Sequence, residues 1–156
     1  MLVVNKYEYL KIYFDGGSRG NPGPSAIGAV VYDQDDKKVG QISEYIGKHT
    51  NNVAEYMSLE KVLEYISRFE TSKLILLTDS KLVHNQVKKI WKIKDKKILD
   101  IYLRLNKKLS AYSTVDLRLI PREENTEADR LVNEALDRKE FTYDGESEIN
   151  FGVVKD

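Results

Sequence analysis

The sequence predicts an α/β fold: one five-stranded mixed sheet flanked by helices, in the order β-β-β-α-β-α-α-β-α. Three observations predict it. Short apolar or alternating segments between residues 9 and 45 are separated only by turn-rich stretches, which reads as an antiparallel meander. The run Lys73-Leu-Ile-Leu-Leu-Thr78 is almost continuously apolar, as expected of a central strand buried on both faces. Helical patterns lie before and after that run, so its neighbours in sequence are crossovers rather than hairpins.

The elements follow in order. Tyr9 to Phe14 alternates, with Leu10, Ile12 and Phe14 on one face and Tyr9, Lys11 and Tyr13 on the other. It runs into a turn-rich loop, Asp15-Gly-Gly-Ser-Arg-Gly-Asn-Pro-Gly-Pro24. A second strand spans Ala26 to Tyr32, and a third continues through about Tyr45. Asn51 or Asn52 is expected to cap a helix reaching about Arg68, with Leu59, Val62, Leu63 and Ile66 as its apolar stripe. After the central strand, helical patterns cover Ser80–Trp91 and about Asp95–Leu109. Val115 to Ile120 alternates and stops at Pro121. The last helix runs from Thr126 to about Arg138, followed by an acidic tail from about residue 140 to 156 with a short strand at Ile149–Val154. Residues 1–8 read as an N-terminal extension of a single domain spanning 1–156.

Composition narrows the chemistry. The 156 residues are 41% hydrophobic and 32% charged, enough apolar material for a core and too much for global disorder. There is no cysteine, which excludes disulfides, a thiol nucleophile and thiolate zinc sites. The two histidines, His49 and His84, exclude a histidine-rich metal centre. No segment is long and apolar enough to span a bilayer, and the first residues lack a signal-peptide pattern. The expectation is a soluble cytoplasmic protein with no membrane contact. The formal net charge of zero conceals a division: residues 81–108 carry ten Lys/Arg against two Asp, whereas residues 123–148 carry ten Asp/Glu against three Lys/Arg. Such asymmetry suits a polyanionic partner, although taken alone it reads more simply as two solvated helix faces.

Four carboxylates stand out, each with an ordinary structural alternative. Asp15 opens a Gly-rich turn and could simply bond its own backbone. Glu55 follows Asn52 at capping-box spacing, yet it also heads the inward stripe Glu55, Leu59, Val62, Ile66, where a buried carboxylate needs a cation or donor. Asp79 precedes a helix it could cap. Asp129 has capping-box spacing from Thr126. Asp15 and Asp79 both follow predicted strands, and ligands of open α/β sheets bind beyond the carboxyl ends of strands.

The joint occurrence of four segments, Tyr13-Phe-Asp-Gly-Gly-Ser-Arg-Gly-Asn-Pro-Gly-Pro24, Thr50-Asn-Asn-Val-Ala-Glu-Tyr56, Leu77-Thr-Asp-Ser80 and Ile120-Pro-Arg-Glu-Glu-Asn-Thr-Glu-Ala-Asp-Arg-Leu131, resembles the ribonuclease H type 1 family. The resemblance covers about Tyr9 to Leu136 and implies the ribonuclease H-like fold. It implies that Asp15, Glu55, Asp79 and Asp129 bind two Mg²⁺ ions, Mn²⁺ being an acceptable substitute, with Asp15 bridging both. Glu55 would also help orient the ribose 2′-hydroxyl. The implied reaction is two-metal hydrolysis of the RNA strand of an RNA/DNA hybrid, leaving 5′-phosphate and 3′-hydroxyl ends. Hard Mg²⁺ favours oxygen ligands, in keeping with an all-carboxylate set.

Substrate contacts are expected from Gly16, Gly17, Ser18 and Asn21 in the first segment and from Thr50, Asn51 and Asn52 in the second. Lys81, Lys88, Lys89 and Trp91 are expected to contribute from the basic segment. Trp91 reads either as an interhelix anchor or as a stacking surface for the DNA strand. The chain departs from many members in having no histidine in the loop before the last helix, and the archaeal-type subgroup is similar there. Arg122 or Glu124 could take over part of that role. The segment from Ile90 to Leu99 is too short for a full basic handle, which implies weak, salt-sensitive binding. No obligate protein partner is implied. Two other functions remain open at this level: an integrase-like nuclease acting on DNA, and a nucleic-acid-binding module without catalysis.

Overall fold

The computed structural model describes residues 6–144, with side chains as far as residue 139. Its elements are β1 (Leu10–Ser18), β2 (Gly23–Tyr32), β3 (Lys38–His49), α1 (Asn51–Ile66), β4 (Lys73–Thr78), α2 (Lys81–Val87), α3 (Lys96–Leu109), β5 (Thr114–Leu119), a 3-10 turn (Arg122–Glu124) and α4 (Thr126–Asp144). The order is the one expected from sequence. The sheet runs β3-β2-β1-β4-β5; the first three strands are antiparallel, and β4 joins β1 and β5 in parallel.

Strand alternation sorts the two faces. Leu10, Ile12 and Phe14 of β1 are buried in a core completed by Tyr56, Leu59, Val62 and Ile66 of α1 and by Ile98, Ile101 and Leu105 of α3. The stripe headed by Glu55 therefore faces inward as its spacing predicted. On the opposite face Ala26 packs with Val132, Ala135 and Leu136 of α4.

Several boundaries differ from the sequence reading. Asp15 to Ser18 continue β1, paired with Ser25 to Gly28, instead of opening the loop; the glycines let helices sit directly on the strand. The third strand passes Tyr45 to His49 through an irregularity between Ser25 and Ala26, and Gly47 takes the positive φ that breaks the alternation there. Helix α1 is capped by Thr50, whose hydroxyl accepts from Val53 N, so neither asparagine is the cap and Glu55 is not in a capping box. Ser80, not Asp79, caps α2, which ends at Val87 rather than Trp91.

Helix α4 extends to Asp144, because the sequence offers no glycine or proline between Arg138 and Asp144 to stop it. Residues 140–144 are thus helical rather than tail. The rest of the tail and the strand expected at Ile149–Val154 lie outside the described residues. Tyr7 is tied in, its N–H donating to Glu70 O at 2.9 Å and its ring meeting Phe69 edge-on.

Candidate active site

The central pair of parallel strands sets the first two carboxylates side by side. Tyr13 of β1 is in register with Leu77 of β4, and Asp15 and Asp79 each stand two residues further on. Gly16 lies under α1, where a Cβ would come 2.8 Å from the backbone N of Glu55. That close approach brings Glu55 to the same place. From the other face, Gly17 meets Val132 of α4, the helix whose first turns carry Asp129. One cleft of about 230 Å³ is lined by Asp15, Glu55, Asp79 and Asp129 together with Gly16, Gly17, Ser18, Arg19, Asn51, Arg122 and Asn133.

The electrostatics are those of crowded acids. Asp15 is pushed from 3.8 to about 8, by burial first and then by the charges of Asp79, Glu55 and Asp129. Glu55 rises from 4.5 to about 7, again mainly by burial; the Ser80 hydroxyl, the Asn51 amide and the Arg122 charge oppose the rise, while Asp79 adds to it. Asp79 is also raised, by burial, against the Asn125 amide and Arg122. Glu55 Oε2 accepts from Asn51 Nδ2 at 2.8 Å, whereas its Oε1 is buried with no partner in hydrogen-bond geometry.

A divalent cation fits this donor set. It would take an all-oxygen shell, give Glu55 Oε1 a partner, and offset the burial and the repulsion that raise Asp15. Among the described residues no three acids stand closed up as a ready-made ligand cluster. The four face a common space.

The other expected site residues fall into three groups. Gly16, Gly17, Ser18 and Asn51 line the cleft. Thr50, Asn52 and Asn21 are not among the residues that line it; Thr50 and Asn52 flank Asn51 in sequence, and Asn21 Oδ1 accepts from Asn51 N at 3.1 Å and so ties the Gly-rich loop to the start of α1. The Ser18 hydroxyl is engaged within the fold, with His49 O at 3.0 Å, so it shapes the loop. Lys81, Lys88, Lys89 and Trp91 are exposed and outside the cleft. Trp91 is 44% exposed, so it is not a core residue.

Arg122 lines the cleft, whereas Glu124 lines a separate one with Tyr13, Tyr32 and Glu127. The sequence reading missed Arg19, Asn125 and Asn133. Arg19 pairs with Asp137 at 2.7 Å and donates to Asn133 Oδ1 at 3.2 Å, fastening the Gly-rich loop to α4. Asn133 was accessible to helical spacing, four residues after Asp129 and on the same face.

Comparison with known proteins agrees with this fold. The reverse transcriptase-like family profile matches residues 13–135. Ribonuclease HI of Halobacterium salinarum is 39% identical over 125 residues, covering 80% of this chain and 63% of its own length. Ribonuclease H of Maricaulis maris is 32% identical over 142 residues, covering 81% of this chain and 93% of its own. The Bifunctional protein Rv2228c of Mycobacterium tuberculosis is 41% identical over 124 residues, 79% of this chain, and the chain spans only 34% of that longer relative. Among solved structures, LC11-RNase H1 in complex with an RNA/DNA hybrid superposes with a TM-score of 0.79 at 35% identity, covering 83% of this chain and 98% of that one. With a family profile over most of its length and a near full-length ribonuclease H among its relatives, the chain belongs to the ribonuclease H family.

Proposed function

We propose that this chain cleaves the RNA strand of RNA/DNA hybrids at the cleft of Asp15, Glu55, Asp79 and Asp129, with two Mg²⁺ ions, for which Mn²⁺ can substitute. The observation that carries the reading is the convergence of four carboxylates, from β1, α1, the turn after β4 and α4, on one cleft where burial and mutual charge raise three of them. A pure binder of polyanions gains nothing from such a cluster, which repels phosphate. When bound, the two ions supply an activated water and charge stabilisation for in-line displacement at phosphorus.

The chain's own residues do the rest. The carboxylates hold the ions, and the Asn51 amide fixes the orientation of Glu55. Gly16 and Gly17 leave the backbone open to close approach. Asn21, Thr50, Asn51 and Asn52 offer polar groups suited to the sugar and base edges of a minor groove, where a 2′-hydroxyl distinguishes RNA from DNA, and Ser18 shapes the loop that carries Asn21. The exposed lysines Lys81, Lys88 and Lys89, with Trp91 beside them, suit the backbone of the other strand. The cytoplasm is the expected compartment.

Digestion of labelled RNA/DNA hybrid, double-stranded RNA and duplex DNA, each with Mg²⁺, Mn²⁺ or EDTA, tests the reading. Cleavage of the RNA strand of the hybrid with either ion and none in EDTA is expected. Preferred cleavage of duplex DNA would favour the integrase-like alternative, and no cleavage of any substrate would favour the binding module.

A further inference from the structure

Asn125 sits between the 3-10 turn and α4 and is 1% exposed. Its Nδ2 donates to Phe14 O at 3.0 Å and to Asp79 Oδ2 at 3.4 Å. Both partners are acceptors, so the NH₂ must face them; the flipped amide would set oxygen against a carbonyl and a carboxylate. The Oδ1 therefore points away, and it is buried with no hydrogen-bond partner.

This is not how an asparagine before a helix ordinarily works. An N-capping asparagine uses its side-chain oxygen to accept a free N–H of the first turn. Here that oxygen accepts nothing, and an unpartnered buried polar atom costs stability. A group kept at that cost is kept for its other end. Phe14 immediately precedes Asp15, and Asn125 O accepts from Asp129 N at 3.1 Å. One residue thus touches the strand carrying Asp15, the carboxylate of Asp79 and the helical turn carrying Asp129.

We propose that Asn125 is a positioning residue of the cation site: its amide aims the Asp79 carboxylate and locks β1 and α4 around it. The inference rests on the function proposed above. An apolar side chain with the same branched skeleton occupies the position but donates nothing, so the role belongs to the NH₂ group.

The test is Asn125→Leu, with Mn²⁺ binding to the substrate-free protein measured by calorimetry alongside steady-state cleavage of hybrid. Loss of an outer partner of a metal ligand is expected to weaken Mn²⁺ binding and lower kcat by roughly 10- to 100-fold, with KM for hybrid little changed. In an Asp79→Asn background the same substitution should add little further loss of Mn²⁺ affinity, because its effect passes through Asp79.

A folded Asn125→Leu protein with parental Mn²⁺ affinity and kcat overturns the inference and leaves the proposed function standing. A parent protein that neither binds Mn²⁺ nor cleaves hybrid overturns that function, and the inference with it. Should Asn125→Leu fail to fold, NMR of the asparagine-labelled parent replaces it. Saturating Mg²⁺ is expected to shift the Asn125 Nδ2 resonances, and unmoved resonances in an active enzyme overturn the inference.

Discussion

Gly16 of β1 lies directly against the carbonyl of Ala54 in α1: a Cβ at position 16 would stand 2.2 Å from Ala54 O. Each of the two residues is the sequence neighbour of a site carboxylate, Asp15 and Glu55. The missing side chain is therefore what lets the two acids share a cleft.

Gly16→Ala should accordingly damage both fold and site. The clash is with backbone, which cannot swing aside as a side chain would, so a loss of about 1–3 kcal/mol is expected. For a chain of this size that is a fall in Tm of roughly 3–10 °C, with kcat reduced in the surviving folded protein. Gly17→Ala is the control, because its Cβ would meet only side chains at ordinary distances, Val132 at 3.4 Å and Asn51 Oδ1 at 4.0 Å. Thermal melts of the two variants should differ, and equal Tm values would show that the close approach at Gly16 is not limiting.

The raised carboxyls predict a pH dependence with a definite sign. Asp15 titrates near 8 and Glu55 near 7 in the folded protein, against 3.8 and 4.5 as ordinary values. Between about pH 4 and 8 the folded state therefore holds protons that the unfolded chain has released. Their contribution to stability is present at low pH, declines as pH rises through this window and levels off above about 8.

In EDTA, Asp15→Asn should lose much of that slope and be as stable as the parent or more stable at pH 8. It should also abolish cleavage, since the amide keeps the shape and loses the charge. Mg²⁺ at pH 8 should raise the parent's Tm and raise that of Asp15→Asn less. Melts from pH 5 to 8 with and without Mg²⁺ check this, and coincident slopes for the two proteins would remove Asp15 from the coupled set.

The basic segment gives a prediction of another kind. Gln86, buried beneath it, accepts from Tyr56 OH at 2.8 Å and donates to Lys92 O at 2.9 Å, so the turn bearing Lys88, Lys89 and Trp91 is fastened to the core. Its lysines are exposed, which makes charge reversal there cheap for the fold. Replacing Lys88, Lys89 and Lys92 by Glu should raise KM for hybrid and flatten its salt dependence, with kcat nearly unchanged, because phosphate contacts supply position and affinity. Kinetics at two or three salt concentrations decide it. An unaltered KM would mean that these lysines only solvate the surface.

Much of this site was legible in the sequence because its parts are local. A carboxylate after an apolar strand, a glutamate at the head of an apolar helical stripe and a turn residue before a helix each leave a pattern in a few consecutive residues, but each alone also reads as a cap or a turn, and it is the joint resemblance of the four segments to the ribonuclease H type 1 family that singles out Asp15, Glu55, Asp79 and Asp129. Strand ends and caps were less legible. Gly16 and Gly17 look like a turn, since nothing local shows that a helix will press on them, and Thr50, Asn51 and Asn52 are all good caps in isolation. Asn125 was invisible for a deeper reason: its partners, Phe14 and Asp79, are 111 and 46 residues away in sequence.

The loop before α4 separates two residues that the sequence could not rank. Arg122 and Glu124 share one 3-10 turn, yet Arg122 lines the carboxylate cleft and Glu124 faces the neighbouring cleft of Tyr13 and Tyr32. Arg122 also draws Glu55 and Asp79 toward their charged forms, so its guanidinium stands within electrostatic reach of both. From that position it can hold a phosphate oxygen by a charge-assisted hydrogen bond. Glu124, exposed and turned elsewhere, can add only favourable charge near the start of α4.

Arg122→Ala should therefore lower kcat by roughly tenfold or more, less than the roughly 100-fold that loss of a dedicated transition-state donor costs, because the ions carry most of the charge, while Glu124→Ala should stay close to the parent. Arg122→Lys should recover part of the loss, because it restores the charge without the planar fork. Rates across pH 6 to 9 for the three variants make the comparison. Equal kcat for Arg122→Ala and the parent throughout that range would show that the carboxylates and their ions need no help from this loop.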